Sequence, residues 1–359
     1  MERELNNAHL LKAELNKRGH NLYLCDPFFM INASKEKFDF VPDVLLTPYL
    51  YEKRHLEEII KPLFKGKINR IVNLQYEQIL SSNEKEMELQ VPDGLNKNAI
   101  HLCWGKKWQD VLVKYGISKE NAPIVGSINV DMARERFLSL YKTKEEMSKD
   151  YKLNKDKKWI LFISSFAMVN LRSDRKEFYD VRHGNECIDT RIDIENKTRE
   201  IFLDWVKKYI SENDCEFIYR PHPGEAVDKY LIDIENKYEN FHIIKQDSVR
   251  SWIKVCDKIH TWYSTCIVDI YFMKKTCSII RPIDLPEIMH NDILNTGKFA
   301  RDYESFCRFN NEDVTEFPMD EQIILDYFDV DEEKYAYEKI CDLLEDIVKR
   351  DVHMEFYEE

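Results

Sequence analysis

The sequence predicts an α/β protein made of two doubly wound, parallel-sheet halves. Three observations carry that reading. Short apolar runs bounded by polar residues alternate with helical spacing along most of the chain. The runs are apolar nearly throughout rather than at every second residue, as strands covered on both faces require. The alternation also stops in a charged stretch, "LYKTKEEMSKDYKLNKDK" (residues 140–157), and then restarts.

Each element can be justified in order. Residues 1–20, "MERELNNAHLLKAELNKRGH", put Leu5, Ala8, Leu11 and Leu15 at helical spacing. Gly19 marks the stop. "NLYLCD" follows as a strand, then "DVLLTPY" (Asp43 to Tyr49), "RIVNLQ" (Arg70 to Gln75), "AIHLCWG" (Ala99 to Gly105) and "APIVGS" (Ala122 to Ser127). Helices are expected from Glu52 to Phe64 and from Lys106 to Tyr115. This half opens on a helix, where such domains usually open on a strand. Residues 140–157 are the expected linker. Beyond them "KWILFISSF" is a buried strand. It is followed by a helix near Thr198 to Asn213, strand "CEFIYR", strand "FHIIK", helix "SVRSWIKVC", strand "KIHTW", helix "TCIVDIYFMK" and strand "TCSIIR". The tail from Met319 reads as helices, the last from about Asp331 to Arg350. The expected division is residues 1–145, residues 146–335, and a C-terminal helix in 336–359 that crosses back to the first half. Two such halves place a ligand between them, at the carboxyl ends of the strands.

The 359 residues are 43% hydrophobic, enough for two cores, and 33% charged. A net charge of −13 argues against nucleic acid as a partner, because that needs a basic face. A local basic pocket for phosphate remains compatible with it. Nine cysteines stand singly, with no CxxC pair, which disfavours a zinc ribbon and fits a reducing compartment. No apolar run approaches the ~20 residues of a membrane helix. The reading is a cytoplasmic protein. No HExxH or Asp-rich loop suggests a metal, and neither GxGxxG nor GxxxxGK[ST] occurs.

"FIYRPHPGE" holds the densest chemistry. Arg220 and His222 follow a strand at its carboxyl end, and Pro223 and Gly224 make a sharp turn. Arg220 suits a phosphate clamp; His222 suits a hydrogen bond or proton to the same group. The plain alternative is a polar turn. In "HTWYSTCIVD", Ser264 and Thr265 stand where a strand gives way to a helix, with Ser264 as N-cap. Such a helix start binds anions, though ordinary capping explains it too. Ser164 and Ser165 end strand "KWILFISSF" and could meet a phosphate, or form a plain loop. In the first half Glu77 follows a strand end and is the candidate general base, ahead of Glu4 and Asp26. His101, within a strand, reads as a satisfied core residue. Glu225 is given no catalytic role.

Four segments carry a resemblance: "RELNNAHLLKAELNKRGHNLYL", "HLCWGKKWQDVL…APIVGSINVDMAR", "ILFISSFAMVN" and "YRPHPGE…SWIKVCDKIHTWYSTCIVDIYFMKKTCSIIRP". Together they make the chain resemble bacterial capsule and lipopolysaccharide glycosyltransferases of the GT-B fold. The last segment is similar to the His-Pro motif and Ser/Thr-bearing helix of bacterial sialyl-, polysialyl-, Kdo- and glycerophosphotransferases. The resemblance implies two Rossmann-like domains facing across a cleft, the first acceptor-side and the second holding the nucleotide donor. It implies that His222, Ser264 and Thr265 contact the donor phosphate, and it matches Glu77 only loosely. It implies a metal-independent transferase with no cofactor. The expected donor is a nucleotide sugar, CMP- or CDP-linked among the options, and the acceptor is a glycan or lipid-linked glycan. Peripheral association with the inner membrane or a capsule assembly complex is also expected. A nucleotide-sugar 2-epimerase of the same fold, or a non-catalytic subunit that binds glycan or a partner, are the alternatives.

Overall fold

A computed structural model describes residues 2–25, 38–79, 87–171, 176 and 185–357. The chain divides into two compact units. The first comprises Met1–Leu80, Glu84–Asp131 and Gln322–Glu359; the second comprises Ser81–Asn83 and Met132–Glu321.

The first unit opens with helix α1 (Glu2–Lys17). Its buried face is Asn7, Leu11 and Leu15, while Leu5 is 52% exposed, so the inward stripe lies one step round from the expected one. Gly19 ends the helix at φ +92°, a conformation that favours glycine, and the His20 N–H returns to the Leu15 carbonyl. Strands β1 (Leu45–Thr47), β2 (Ile71–Asn73) and β3 (Ile100–His101) form a parallel sheet in that order, with Leu45 opposite Ile71 and Val72 opposite Ile100. Two expected strands are not there. Residues 21–25 of "NLYLCD" make no ladder, and Tyr23 is 70% exposed, so its apolar side chains face outward instead of into a sheet. "APIVGS" is reduced to a single bridge, Cys103 to Ile124, because Pro123 lacks an N–H and Gly126 turns the chain away at φ +84°. The stretch after Glu52 is a π-helical turn, His55–Ile60, running into a 3₁₀ turn, Lys61–Leu63. Helix α2 (Lys106–Lys114) buries Trp108 and Leu112. The C-terminal helix, Ala336–Lys349, begins about a turn later than expected, and lays Tyr337, Ile340, Cys341, Leu344 and Ile347 on the core of this unit. Arg18 of the loop after α1 holds it through Asp342 at 2.6 Å and Glu345 at 3.2 Å.

The second unit contains the stretch expected as a linker. Residues 140–157 are polar, yet they hold helix α3 (Lys144–Tyr151), closed by a Thr143–Glu146 capping box. Met147 is fully buried, and Lys142 and Tyr151 both bond the Asp247 carboxylate. The charges that read as linker composition are ion-pair partners of this unit. Next come β4 (Lys158–Ile163), α4 (Asn185–Glu212), β5 (Cys215–Arg220), α5 (Lys229–Lys237), β6 (Phe241–Ile243), α6 (Val249–Val255), β7 (Lys258–Thr261), α7 (Cys266–Phe272), β8 (Ser278–Ile280), β9 (Phe299–Ala300) and α8 (Tyr303–Asn311). All six strands are parallel, in the order β6-β5-β4-β7-β8-β9. That is the doubly wound 3-2-1-4-5-6 order, whose direction reverses between β4 and β7. Phe162, Phe202, Phe217, Tyr219, Trp262 and Phe306 build the core beneath it. Both units are mixed α/β with parallel sheets.

Candidate functional site

The carboxyl edge of the six-stranded sheet gathers seven of the eight candidate residues. After β5 the chain turns at Pro223, and the Glu225 N–H donates to the His222 carbonyl at 2.8 Å. Glu225 then folds beneath its own turn and is only 2% exposed. Its carboxylate accepts from the Ser164 hydroxyl (2.5 Å), the Tyr219 hydroxyl (2.7 Å) and the His222 backbone N–H (3.1 Å). Burial pushes its pKa up, and these three donors pull against that shift. Ser164 is therefore a brace for the turn, with its hydrogen directed at Glu225.

His222 stands exposed on this turn. Its Nδ1 accepts the Gly224 N–H at 3.0 Å, so in the neutral ring the proton sits on Nε2. Desolvation, with the Arg191 and Lys245 charges, lowers its pKa from the ordinary value. The ring is thus a neutral donor at pH 7, aimed by a backbone bond. Lys245, after β6, reaches the Glu225 carbonyl at 2.6 Å and flanks the same turn.

The loops after β4 and β7 meet at the reversal point, where open α/β sheets bind their ligands. Ser165 accepts the Tyr263 N–H at 3.0 Å and ties them together. Ser264 is buried and accepts the Cys266 N–H at 3.3 Å. The helix start itself is Thr265, which makes no side-chain cap bond, so the expected N-cap falls one residue later. Arg191 of α4 lies over the Tyr263 ring at 5.9 Å and pairs with the buried Glu195 at 3.0 Å. Glu195 also accepts the Met168 N–H at 2.7 Å, fixing the loop after β4.

Two more contacts stiffen this edge. Arg199 of α4 makes a two-pronged pair with Asp228 at 2.8 Å each; Asp228 caps α5 and accepts from Asn170 of the β4 loop. Arg220 directs its guanidinium at the Gln246 carbonyl (2.7 Å) and the Asp247 carbonyl, holding the loop after β6. Asp247 sits at φ +62°, in the left-handed region that Asp enters more readily than most non-glycine residues.

Glu77 lies in the first unit, exposed, beyond β2, and its backbone carbonyl accepts from Gln75 at 3.4 Å. Its rival Asp26 lies outside the described residues. His101 is fully buried, with Nε2 at 2.9 Å from the Asn96 carbonyl and Nδ1 at 3.1 Å from the Asn73 amide, as a satisfied core residue should be. Sequence reasoning missed Arg191, Glu195 and Lys245. No motif surrounds the two α4 residues. Lys245 had a faint signal, as the last residue of "FHIIK" at a strand end.

No protein-family model matches the sequence, and no curated protein matches it. Solved structures do. The wall teichoic acid polymerase TagF is 19% identical over 81% of this chain and 71% of that chain, with a TM-score of 0.50. The fold is of the GT-B type. Two further GT-B-type matches are less similar in shape. The UDP-GlcNAc 2-epimerase from Methanocaldococcus jannaschii is 12% identical over 96% of this chain and 81% of that one, TM-score 0.46. The S. aureus MnaA–UDP co-structure is 14% identical over 79% and 64%, TM-score 0.40. At 19% identity the likeness to TagF is one of fold alone.

Proposed function

We propose that this chain transfers a sugar, or a polyol phosphate, from a nucleotide-activated donor to a bacterial surface glycan. One observation carries the reading. A neutral imidazole with its proton on Nε2 stands beside Arg191 and Lys245 at the carboxyl edge of a 3-2-1-4-5-6 sheet. In a chain of net charge −13 this is a local cationic rim, with its two nearby carboxylates, Glu195 and Glu225, buried beneath it. A leaving nucleotide phosphate gains negative charge in the transition state, and fixed donors lower that barrier. His222 donates from Nε2, Arg191 and Lys245 supply charge, and the Thr265 hydroxyl completes the phosphate side. Ser164, Ser165, Ser264, Gly224 and Arg220 hold these loops in place. The arginine and lysine supply the positive field that a metal ion brings to other transferases. Glu77 is the proposed acceptor-side base. TagF polymerises wall teichoic acid, and by analogy of fold alone that supports a cell-surface acceptor. A CMP- or CDP-linked donor, and work at the cytoplasmic face of the membrane, belong to the same proposal. Among the described residues no helix is long and apolar enough to cross a membrane.

Calorimetry against CMP, CDP, UDP and GDP tests the donor site. One nucleotide should bind, and His222→Ala and Arg191→Ala should each weaken it about tenfold with the circular dichroism spectrum unchanged. Failure of all four to bind would sink the proposal. Product analysis with no acceptor present separates transfer from epimerisation, because only an epimerase releases a new sugar isomer there.

A further inference from the structure

On α4, Arg191 stands one turn before Glu195 and gives its Nε hydrogen to Glu195 Oε1 at 3.0 Å. That order is the weaker one for a helix, because a cation belongs nearer the C-terminal end and an anion nearer the N-terminal end. Glu195 is also fully buried, and burying a carboxylate is costly. Helix stability therefore does not account for the pair. Pinning the loop after β4 does not account for it either. The Met168 N–H needs only an acceptor at Glu195 Oε2, 2.7 Å away, which the neutral amide of a glutamine would supply. The charge on Glu195 serves Arg191.

The guanidinium is held from a second side by the Tyr263 ring, 5.9 Å away. That ring is itself fixed. The Tyr263 N–H donates to Ser165 Oγ at 3.0 Å, and its hydroxyl donates to the Met289 carbonyl at 2.7 Å and accepts the Asn291 amide at 3.0 Å. Among the described residues Arg191 makes no other hydrogen bond. Its side chain is 30% exposed, and the two terminal nitrogens are open to solvent. A guanidinium has two kinds of edge that can grip a pair of oxygens: Nε with one Nη, and the end formed by both Nη atoms. Glu195 occupies the first, so the end is left for a ligand. His222 and Tyr263 both feel the Arg191 charge, which sets that end beside the loops after β5 and β7.

We infer that Glu195 is a positioning residue: by holding Nε it sets Arg191 to grip one phosphoryl group end-on, through two of its oxygens. The phosphoryl group is the donor's, so this rests on the transferase reading above. Charge alone predicts the opposite effect. Glu195 is an anion beneath an anion site, and its own field opposes the binding of phosphate. If Arg191 acted only through its charge, neutralising Glu195 would tighten binding. An aimed fork behaves otherwise. The same change frees the guanidinium to swing and loosens binding, because two parallel charge-assisted hydrogen bonds demand a fixed geometry. A lysine at position 191 would keep the charge and lose the fork.

Calorimetry on the full chain tests this with inorganic pyrophosphate beside CMP, CDP, UDP and GDP. Glu195→Gln should weaken pyrophosphate and the bound nucleotide about fivefold, and Arg191→Lys by about as much, with circular dichroism unchanged. In the Arg191→Gln background, Glu195→Gln should cost nothing further, since a residue that acts through Arg191 then has nothing to aim. A merely structural Glu195 would cost the same in both backgrounds. That result overturns the inference, as does tighter or unchanged binding in Glu195→Gln, or full affinity in Arg191→Lys. If Glu195→Gln does not fold, Glu195→Asp takes its place. It keeps the charge, draws the carboxylate back by one methylene and should weaken binding in the same way; full affinity there overturns the inference too. Nucleotide binding that ignores Glu195 removes the positioning role and leaves the donor site. Pyrophosphate binding that follows Glu195, with no nucleotide bound, does the reverse. Binding of no probe removes both.

Discussion

Glu225 shows how a residue can govern a site without facing a ligand. Its carboxylate collects a serine hydroxyl from the loop after β4, a tyrosine hydroxyl from β5 and the backbone N–H of His222. Replacing it with alanine leaves three buried donors unmatched. Glu225→Ala should destabilise the second unit by about 2–4 kcal/mol, while Glu225→Gln should lose about 1 kcal/mol or slightly more. Urea denaturation followed by tryptophan fluorescence measures both; equal losses would show that the carboxylate is not the organising group. The imidazole beside it follows from the same geometry. With Nδ1 occupied by the Gly224 N–H, His222 offers only Nε2 outward.

At the scale of elements, three βα loops form one platform because side chains from α4 reach across them. Glu195 holds the loop after β4, and Arg199 holds the start of α5 through Asp228. Arg199 itself is buried, and the Asp228 carboxyl is held below its usual range by that guanidinium and the Leu231 N–H, against the opposing effect of burial. Asp228→Ala removes a helix cap and strands a buried guanidinium at once. The expected loss is about 3 kcal/mol, read as a lower thermal midpoint, with nucleotide affinity falling as the platform loosens. A variant of unchanged midpoint would show the pair to be dispensable. Helix α3 teaches the related lesson that charge density does not mark a linker when Asp247 and Asp257 wait as partners.

For the whole molecule, pH reports on both units together. His101 in the first and His260 in the second are fully buried, and burial lowers each from 6.5 to about 4. Both stay neutral in the fold, while the unfolded chain protonates them below about 6.5. The unfolded chain takes up protons first as pH falls, so stability drops between about pH 6.5 and 4 and then levels for these groups. Each histidine accounts for about 3 kcal/mol at most across that window. Glu195 and Glu225, raised by burial, act in the opposite sense and offset part of it, since the fold accepts their protons first. Denaturation midpoints at pH 7 and 4.5 should differ accordingly. NMR titration should show both rings unprotonated at pH 5.5; charged rings there would refute the account.

What was legible in the sequence was whatever depends on near neighbours in the chain. The near-continuous apolar runs of the second half predict its buried parallel strands, and "FIYRPHPGE" and "WYSTCIVD" stand at strand ends that share one sheet edge. Gly19 and the core role of His101 were legible for the same local reason. The first half was less so. Its strands are two or three residues long, too short for periodicity to separate from exposed apolar chain such as residues 21–25. Only the tertiary structure decided which polar residues meet. Arg191 and His222 are 31 residues apart, and Asn7 and Asn129 are 122 apart. Such meetings depend on strand order and helix docking, which no local spacing encodes. The sequence by itself therefore determined which residues could carry chemistry at the strand ends. Packing determined that Arg220 and Ser164 brace their loops and that Arg191 and Lys245 frame His222.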